Sequence, residues 1–284
     1  MRNKKLSIVT INFNNVEGLR KTLASVAAQT YRDIEHIIVD AASTDGSVDV
    51  IKGYAETSMH TVIWTSETDN GIYDGMNRGI RKASGDYVWI LNSGDCAASP
   101  DVVEKMMTIL KEEKFDLLLG NIVRMYVNKK EYAPLPVKRI KDEKPRPIDV
   151  SMLTFYSSTI PQDAAFVRRE LFEKYGYFDD KLKICADWKL YLNMIALGDV
   201  VPMYVNMDVV LFDMHGVSNS NNELLKAEKR AYLEEVLPVS VYKDYEAYAF
   251  PIYQYQHLKK RHMWGFVYFM ERVLFKLEKW GILK

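Results

Sequence analysis

The stretch Ile34-Glu35-His36-Ile37-Ile38-Val39-Asp40-Ala41-Ala42-Ser43-Thr44-Asp45-Gly46-Ser47 predicts the fold class of this chain. Its first half, Ile34 to Asp40, is an apolar run typical of a buried β-strand. The second half, Ala42 to Ser47, is a cluster of turn-forming residues that leads into a helix. A buried strand followed by a polar turn and a helix is the repeating unit of an α/β fold.

The same pattern recurs on both sides of this stretch. It predicts strands at Leu6 to Phe13, Thr61 to Thr65, Tyr87 to Leu91 and Phe115 to Leu119. It predicts helices at Val16 to Ala28, from Asp74 to Ala83 and from Ser99-Pro100 onward. Repeated strand–helix–strand units indicate a doubly wound, mostly parallel sheet of the α/β class.

Polar clusters follow several of these strands directly. They are Asn12 to Asn15, Asp40 to Asp45 and Asn92 to Asp95. Ligands of open α/β sheets bind beyond the carboxyl ends of the strands. We therefore expect a binding site at this edge of the sheet.

The pattern changes after about Asn121. Lys129 to Pro147 is rich in lysine, arginine and proline, which predicts an irregular excursion. Beyond it we expect a strand at Ala164 to Val167, helices at Arg169 to Tyr175 and Trp188 to Leu197, and extended chain at Val200 to Phe212. The chain is helical in pattern from Asn222. We therefore expect an α/β domain over residues 1–218 and a helical C-terminal extension over residues 219–284.

The composition excludes several classes of protein. The 284 residues include 38 Lys+Arg and 38 Asp+Glu, so no overall charge attracts nucleic acid. Two cysteines are too few for a disulfide framework and indicate a reducing compartment. The first 13 residues lack the pattern of a signal peptide, and no apolar run is long enough to cross a bilayer. These features predict a cytoplasmic protein.

Several acidic residues are candidates for chemistry, each with a structural alternative. Asp95 follows a buried strand, where it would hold a divalent cation or cap the next helix. Asp74 would act in a site or cap a helix, whereas Asn77, one turn on, is harder to explain as a cap. Asp187, beside Trp188, would be a general base of raised pKa or the N-cap of its helix.

Other motifs are missing from the sequence. No G-x-G-x-x-G follows the first strand, no P-loop occurs, and neither H-E-x-x-H nor paired C-x-x-C is present. His215 stands out among the five histidines because it precedes the turn Gly216-Val217-Ser218. It is a candidate metal or phosphate contact.

In order along the chain, these pieces resemble the family 2 glycosyltransferases, which have the GT-A fold. The matching segments are Ser7 to Asn14, Ser25-Val26-Ala27-Ala28-Gln29-Thr30-Tyr31, Ile37 to Ser47, Gly71-Ile72-Tyr73-Asp74 with Asn77, and Ala83-Ser84-Gly85-Asp86-Tyr87. The resemblance is dense over residues 6–96 and patchier to about residue 218. Each motif alone is weak, but five in the right order are specific.

The resemblance implies roles for individual residues. Those implied to bind the nucleotide sugar are Thr10, Asn12, Asp40, Asp45, Asp74, Asn77, Ser93 and Ser218. Asp95 and His215 would hold a divalent metal, Mn²⁺ or Mg²⁺. Asp187 would be the catalytic base that deprotonates the acceptor hydroxyl.

Three departures from the family pattern matter. Ala41 replaces a second acid after Asp40, which weakens the inference about the nucleobase. Asn92 and Gly94 stand where acids are common in the metal motif. Gln162-Asp163 stands where the family often has His-Gln.

The resemblance implies an inverting, metal-assisted transferase. It would move a sugar, most simply from a UDP-sugar, to a hydroxyl of a lipid-linked glycan in a bacterial surface-polysaccharide pathway. A sugar-phosphate nucleotidyltransferase is an alternative, but it would have a Gly-rich loop where this chain reads Asn12-Phe13-Asn14-Asn15. A transferase-like subunit that binds without catalysing is the second alternative.

The C-terminal segment has a distinct composition. Residues 254–284 contain seven Lys/Arg against two Asp/Glu, and seven aromatic residues. Helical spacing places the apolar residues on one face and Arg272, Lys276 and Lys279 on another. This pattern predicts either peripheral binding to an anionic membrane or packing against the catalytic core or a second copy in a homo-oligomer.

Overall fold

A computed structural model describes residues 4–126, 129–135, 142–213, 222–260 and 264–279. The chain forms two compact units, Met1–Arg230 and Ala231–Lys284. The domain boundary predicted between residues 218 and 219 falls outside the described residues. The first unit therefore includes the beginning of the helical extension.

The first unit alternates strands and helices. Its strands are β1 (Leu6–Asn12), β2 (Ile34–Asp40), β3 (Thr61–Ser66), β4 (Tyr87–Ile90), β5 (Cys96–Ala97), β6 (Leu117–Tyr126), β7 (Lys129–Tyr132), β8 (Arg146–Pro147), β9 (Ala165–Arg168) and β10 (Pro202–Asp213). Its helices are α1 (Val16–Ala27), α2 (Ser47–Thr57), α3 (Ile72–Lys82), α4 (Val102–Glu113), α5 (Met152–Ser157), α6 (Glu170–Tyr175) and α7 (Ala186–Tyr191). Helix α8 (Asn222–Val236) begins in this unit and ends in the second.

One mixed sheet contains these strands, in the order β3-β2-β1-β4-β9-β6-β10-β5. β7 pairs with β6, and β8 pairs with β10. β1 to β4 are parallel, and β6 and β10 pair in parallel with each other, whereas β9 is antiparallel to β4 and β6. The predicted α/β class with a mostly parallel sheet is confirmed.

The sheet order reverses at β1, which lies between β2 and β4. β1 and β2 form one βαβ unit through α1, and β4 returns to the other side of β1. A reversal of this kind opens a crevice at the carboxyl ends of the two central strands. The loops after β1 and β4 therefore meet at one place.

Helices cover both faces of the sheet. On one face, Leu6 and Ile8 of β1 belong to the same core as Val26 of α1 and Met106 of α4. On the other face, α3 packs closely because its Gly79 lacks a side chain. A Cβ at this position would lie 2.4 Å from Cγ1 of Val9. The absence of that atom lets α3 lie directly on β1.

Several boundaries differ from those predicted. The segment Lys129 to Pro147 is not irregular throughout, because β7 and β8 lie in it. The helix expected to start at Trp188 begins two residues earlier and continues as a π-helical turn over Leu192–Ala196. Helix α5 has no counterpart in the prediction.

A buried carboxylate joins β1 and β2 to the turn before β4, at the opposite edge from the crevice. Glu35, 1% exposed, lies near the start of β2. Its carboxylate forms a 2.5 Å ion pair with Nζ of Lys5 and accepts hydrogen bonds from Oγ of Ser7 (2.5 Å) and from the N–H and Oγ of Ser84 (2.6 and 2.7 Å). Burial acts to raise the pKa of Glu35, but these partners outweigh it and lower the pKa to about 2.

Glu35→Gln should destabilise the protein by roughly 3 kcal/mol at neutral pH, because the lowered pKa represents about that much free energy. An acid whose folded pKa is depressed stabilises the fold above its unfolded pKa and loses that contribution as the pH falls. The deficit should therefore shrink between about pH 4.5 and pH 2. Chemical denaturation across this range measures it, with the exposed Glu56→Gln as control. An equal deficit at both ends would contradict the ionic origin.

The second unit is helical, as predicted. It contains the end of α8, then α9 (Val239–Lys260) and α10 (Trp264–Lys279). Large apolar side chains on α10 are exposed, among them Phe266 (62%) and Phe269 (61%). In the described part of the chain, no helix combines the length and apolarity needed to span a membrane.

Candidate active site

Asp40 organises the loops after β1 and β2. Its fully buried carboxylate accepts hydrogen bonds from Nδ2 of Asn12 (2.8 Å), from the N–H and Oγ of Ser43 (2.9 and 2.6 Å) and from Oγ of Ser66 (2.7 Å). Burial acts to raise the pKa of Asp40, but the hydrogen bonds outweigh it and lower the pKa. Asp40 is therefore a charged anchor that fixes the floor of the crevice.

Two amide oxygens in the same place have no hydrogen-bond partner among the described residues. They are Oδ1 of Asn12, after β1, and Oδ1 of Asn92, after β4. Buried acceptors are almost always paired in native proteins, because an unpaired one costs free energy.

Thr10 does not present its hydroxyl to the crevice. The side chain is fully buried, and Oγ1 donates to the carbonyl of Leu91 (2.8 Å) and lies 2.9 Å from Nε2 of His36. Because the hydroxyl proton goes to Leu91, Nε2 of His36 carries the proton of that second bond. The sheet interior therefore uses this hydroxyl, and a contribution of Thr10 to nucleotide-sugar binding stays a prediction.

Asp45 and Asp74 are engaged in contacts with other residues of the protein. The exposed Asp45 accepts the N–H of Val16 (2.7 Å) at the start of α1. Asp74 lies in the first turn of α3, as predicted, and pairs with Nη2 of Arg78 (2.9 Å). Asp45 thus joins the loop after β2 to the start of α1, whereas Asp74 stabilises the first turn of its own helix.

The side chain of Asn77 does not cap α3 but links this helix to the backbone of Phe178. Its amide donates to the carbonyl of Phe178 (2.8 Å) and accepts the N–H of the same residue (3.0 Å). The side chain is 2% exposed, so these bonds occupy it fully. Asn77 thus fixes the chain that leads toward Asp187, and its contact with a nucleotide sugar stays a prediction.

The loop after β4 carries Asp95 on a constrained backbone. The carbonyl of Ser93 accepts a hydrogen bond from Nδ2 of Asn15 (3.1 Å), which lies in the loop after β1. Gly94 has φ +108°, and a Cβ on it would lie 3.6 Å from Oδ2 of Asp213. Asp95 itself is 5% exposed, and its Oδ1 accepts the N–H of Asp213 (2.9 Å). The ends of β4 and β10 are thus joined at Asp95.

Carboxyl groups converge around this point. Burial, followed by the charges of Asp163 and Asp213, raises the pKa of Asp95. Burial, followed by the charge of Asp187, raises the pKa of Asp163. Asp95, Asp163 and Asp187 therefore form a connected electrostatic series, which brings the predicted metal ligand and the predicted base into one environment.

Asp187 lies in the first turn of α7, where it is the second residue of the helix after its N-cap Cys185. It is therefore not the N-cap that the structural alternative required. Burial raises its pKa, while the hydroxyl of Tyr73, 3.2 Å from Oδ1, and the ammonium of Lys229 act in the opposite direction. The result is a recessed carboxylate that is more basic than a free aspartate.

The acidic groups at this edge fit a divalent cation. Hard cations of this kind take oxygen ligands, and the charges that act on Asp95 are those of two further carboxyl groups. Asp95 and Asp213 are the residues placed to hold it. Within the described ranges, no group of three or more His, Cys, Asp or Glu side chains forms a complete metal site. His215 and Ser218 lie outside the described residues.

Three residues of this site were missed as functional candidates. Asp163 is visible in the sequence only as a departure at Gln162-Asp163. Asp213 ends a predicted extended segment, so the rule for carboxyl ends of strands would have found it. Tyr73 has no local signal, because its contact with Asp187 joins residues 114 positions apart.

The family model for glycosyl transferase family 2 matches residues 7–176. An uncharacterized glycosyltransferase of Mycobacterium tuberculosis is 32% identical over 222 residues, which cover 75% of this chain and 77% of that protein. A PGL/p-HBAD biosynthesis glycosyltransferase of Mycobacterium bovis is 27% identical, with 78% of this chain and 82% of that protein covered.

Solved structures share the fold at low identity. S. aureus TarS 1-349 in complex with UDP-GlcNAc has a TM-score of 0.64 at 16% identity, covering 90% of this chain and 73% of that chain. The chain spans 43% of the longer TarS chain. A Pyrobaculum calidifontis mannosyltransferase in complex with GDP-Man and Mn²⁺ has a TM-score of 0.58 at 16% identity, covering 84% of this chain and 66% of that chain.

Proposed function

The chain belongs to glycosyl transferase family 2, and on this basis we propose that it transfers a sugar from a nucleotide-diphosphate donor to an acceptor hydroxyl with inversion at the anomeric carbon. The observation that carries the proposal is the hydrogen bond by which Asp95 joins the ends of β4 and β10. Asp163 and Asp187 continue from it as a series of carboxyl groups, in which Asp163 acts on the pKa of Asp95 and Asp187 on that of Asp163. One end of the series suits a donor diphosphate with its cation, and the other suits an acceptor hydroxyl.

Asp187 is the proposed general base. The acceptor oxygen forms a bond to the anomeric carbon while the bond from that carbon to the phosphate oxygen breaks. The hydroxyl proton passes to a carboxylate oxygen of Asp187, and the electron pair of the broken bond leaves with the diphosphate. One base and one displacement give inversion. A raised pKa suits this role, because a stronger base accepts the proton more readily.

The leaving diphosphate needs its charge neutralised. A divalent cation, Mn²⁺ or Mg²⁺, would supply that neutralisation when bound. The residues proposed to hold it are Asp95 and Asp213, with His215 as a further ligand proposed from the sequence. Asp95 accepts the N–H of Asp213, which keeps its carboxylate in a fixed orientation.

A nucleotide sugar is the proposed donor class, with a UDP-sugar first. Solved proteins of similar fold were captured with UDP-GlcNAc and with GDP-Man. In this chain Asn12 and Asp40 are the residues proposed to receive the nucleoside, because the free Oδ1 of Asn12 is a ready acceptor above the Asp40 anchor. Ser93 and Ser218 are proposed for the diphosphate side.

A lipid-linked glycan is the proposed acceptor, in the synthesis of a bacterial surface polysaccharide or glycolipid. One support is the curated relative named for PGL/p-HBAD biosynthesis. The other is the exposed apolar surface of α10, which would bring the enzyme to a membrane.

Donor turnover tests the proposal against its two alternatives. The purified chain is incubated with Mn²⁺ and a panel of nucleotide sugars, and thermal stabilisation and products are measured. A transferase should be stabilised by one donor and should release its nucleoside diphosphate. Release of pyrophosphate from a sugar phosphate and a nucleoside triphosphate would identify a nucleotidyltransferase. Stabilisation by a donor without any sugar release would identify a binding subunit.

The membrane proposal rests on the surface of α10. Phe266, Phe269 and Leu274 are exposed on one arc of the helix, and the exposed Arg272 and Lys276 border it. An apolar arc flanked by basic residues can lie in the interface of an anionic bilayer, with the basic groups at the headgroups.

Flotation with vesicles measures this association. The chain should float with anionic vesicles but not with zwitterionic ones, and Phe266→Ser with Phe269→Ser should abolish flotation. The control is Phe275→Ser, because Phe275 is equally exposed (66%) but lies on the opposite side of α10. Equal flotation of all variants would remove the membrane role, and a concentration-dependent dimer that these two changes disrupt would assign the surface to a second copy.

A further inference from the structure

Helix α8 is joined to the loop that carries Asp187 by a single carboxylate. Glu228 of α8 accepts the backbone N–H groups of Lys183 (2.7 Å), Ile184 (3.1 Å) and Cys185 (3.2 Å). These residues immediately precede α7, whose N-cap is Cys185 and whose second residue is Asp187. One side chain thus holds the three consecutive amides that enter the helix.

Free N–H groups at a helix start require acceptors, and no side-chain cap is formed by Cys185 itself. Charged acceptors for backbone N–H groups form strong hydrogen bonds. Glu228 therefore fixes the backbone of the three residues that lead into α7, of which the last, Cys185, is the N-cap of the helix. The orientation of the first turn of α7, and of Asp187 in it, depends on α8.

The neighbouring residue on α8 strengthens the same junction. Nζ of Lys229 lies 5.0 Å from the ring centroid of Trp188, and its charge acts on Asp187. On the other side of the loop, the Tyr73 hydroxyl donates to the carbonyl of Ile184 (2.6 Å) and lies close to Asp187. The loop is therefore held between α3 and α8.

We propose that Glu228 is a positioning residue for Asp187, holding the entrance of α7 so that the base faces the crevice. This role rests on the proposed function, in which Asp187 accepts the acceptor proton. The residue lies beyond the segment that the family model matches, residues 7–176, so the transfer activity of this chain would require its helical extension.

Glu228→Gln keeps the size of the side chain but removes its charge and one of its acceptor oxygens. We expect kcat to fall by about 10-fold to 100-fold, because a small displacement of a catalytic group has effects of this size. The donor Kd should stay unchanged, since the donor side of the crevice is untouched. Glu223→Gln, an exposed residue of the same helix paired with Lys226, is the matched control and should leave kcat unchanged.

A double-mutant cycle decides whether Glu228 acts through Asp187. In an Asp187→Asn background, Glu228→Gln should cause no further loss, because there is no base left to position. An equal loss in both backgrounds would overturn the proposal. An unchanged kcat with a lowered melting temperature would also overturn it, because the residue would then only stabilise the fold.

Hydrogen exchange separates this inference from the function itself. Glu228→Gln should speed exchange of the amides of residues 183–185, whether or not the chain transfers a sugar. Faster exchange in a protein that shows no transfer would contradict the proposed function while leaving the anchor in place. Unchanged exchange would overturn the role of Glu228 even in an active enzyme.

Discussion

Asp187→Asn should lower the turnover of sugar transfer by about 10²-fold to 10⁴-fold, the usual contribution of a general base. The amide cannot accept the acceptor proton, whereas the hydroxyl of Tyr73 keeps its hydrogen bond to the carbonyl of Ile184. The fold of α7 and the donor site should therefore persist. Steady-state kcat and the donor Kd, measured on the same preparation, test both halves of this expectation.

Two further variants make the result specific. Asp180→Asn changes an exposed acid of the same loop and should retain the parent turnover. Asp163→Asn examines the neighbouring carboxyl group, whose pKa is raised by burial and by Asp187. Near-normal turnover of Asp187→Asn would rule out Asp187 as the base. If Asp163→Asn lost the activity at the same time, the proton acceptor would be Asp163.

Asp95→Asn should abolish the dependence of the enzyme on a divalent cation and reduce turnover by about 100-fold or more, because a leaving diphosphate would no longer be neutralised. The asparagine oxygen can still accept the N–H of Asp213, so the loop should keep its conformation. Without the cation the variant should melt no lower than the parent at neutral pH, because burial and the neighbouring carboxyl groups raise the pKa of Asp95 to about 8 and so leave this carboxyl largely uncharged.

Scanning fluorimetry with Mn²⁺, with and without donor, measures this effect directly. The melting temperature of the parent should rise more with Mn²⁺ and donor together than with donor alone. For Asp95→Asn, adding Mn²⁺ should raise the melting temperature no further than the donor alone does. Asp49→Asn, a highly exposed acid on α2, serves as the control and should behave like the parent. Full cation dependence in Asp95→Asn would contradict the assignment of this residue to the metal.

The first half of the fold was predictable because parallel strands are buried on both faces. Ile34–Asp40 is buried throughout, and its sequence accordingly reads as a nearly continuous apolar run. All four residues of the short strand Lys129–Tyr132 are exposed, so this strand has no apolar run. Its sequence therefore does not predict that it pairs with β6. Edge strands of this charged kind are defined by their neighbour, not by their own sequence.

The predicted parallel arrangement of the strands was enough to predict which edge of the sheet carries the candidate site. It was not enough to predict the role of each residue at that edge. Thr10 and Asn12 point to the same face of β1, and only the position of Leu91 and His36 shows that the first is consumed inside the sheet. Asn77 binds a residue 101 positions away, and Glu228 binds an amide 45 positions away. No local spacing encodes contacts between such distant parts of the chain.

The cluster around Glu35 has one more consequence. It joins the amino-terminal edge of the sheet, whereas the acids of the crevice crowd the carboxyl-terminal edge. The expected contribution of Glu35 to stability and the proposed site of reaction thus lie at separate ends of the same strands. We therefore expect substitutions at one end to have little effect at the other. A protein engineer could first increase the stability of this protein and then change its sugar specificity.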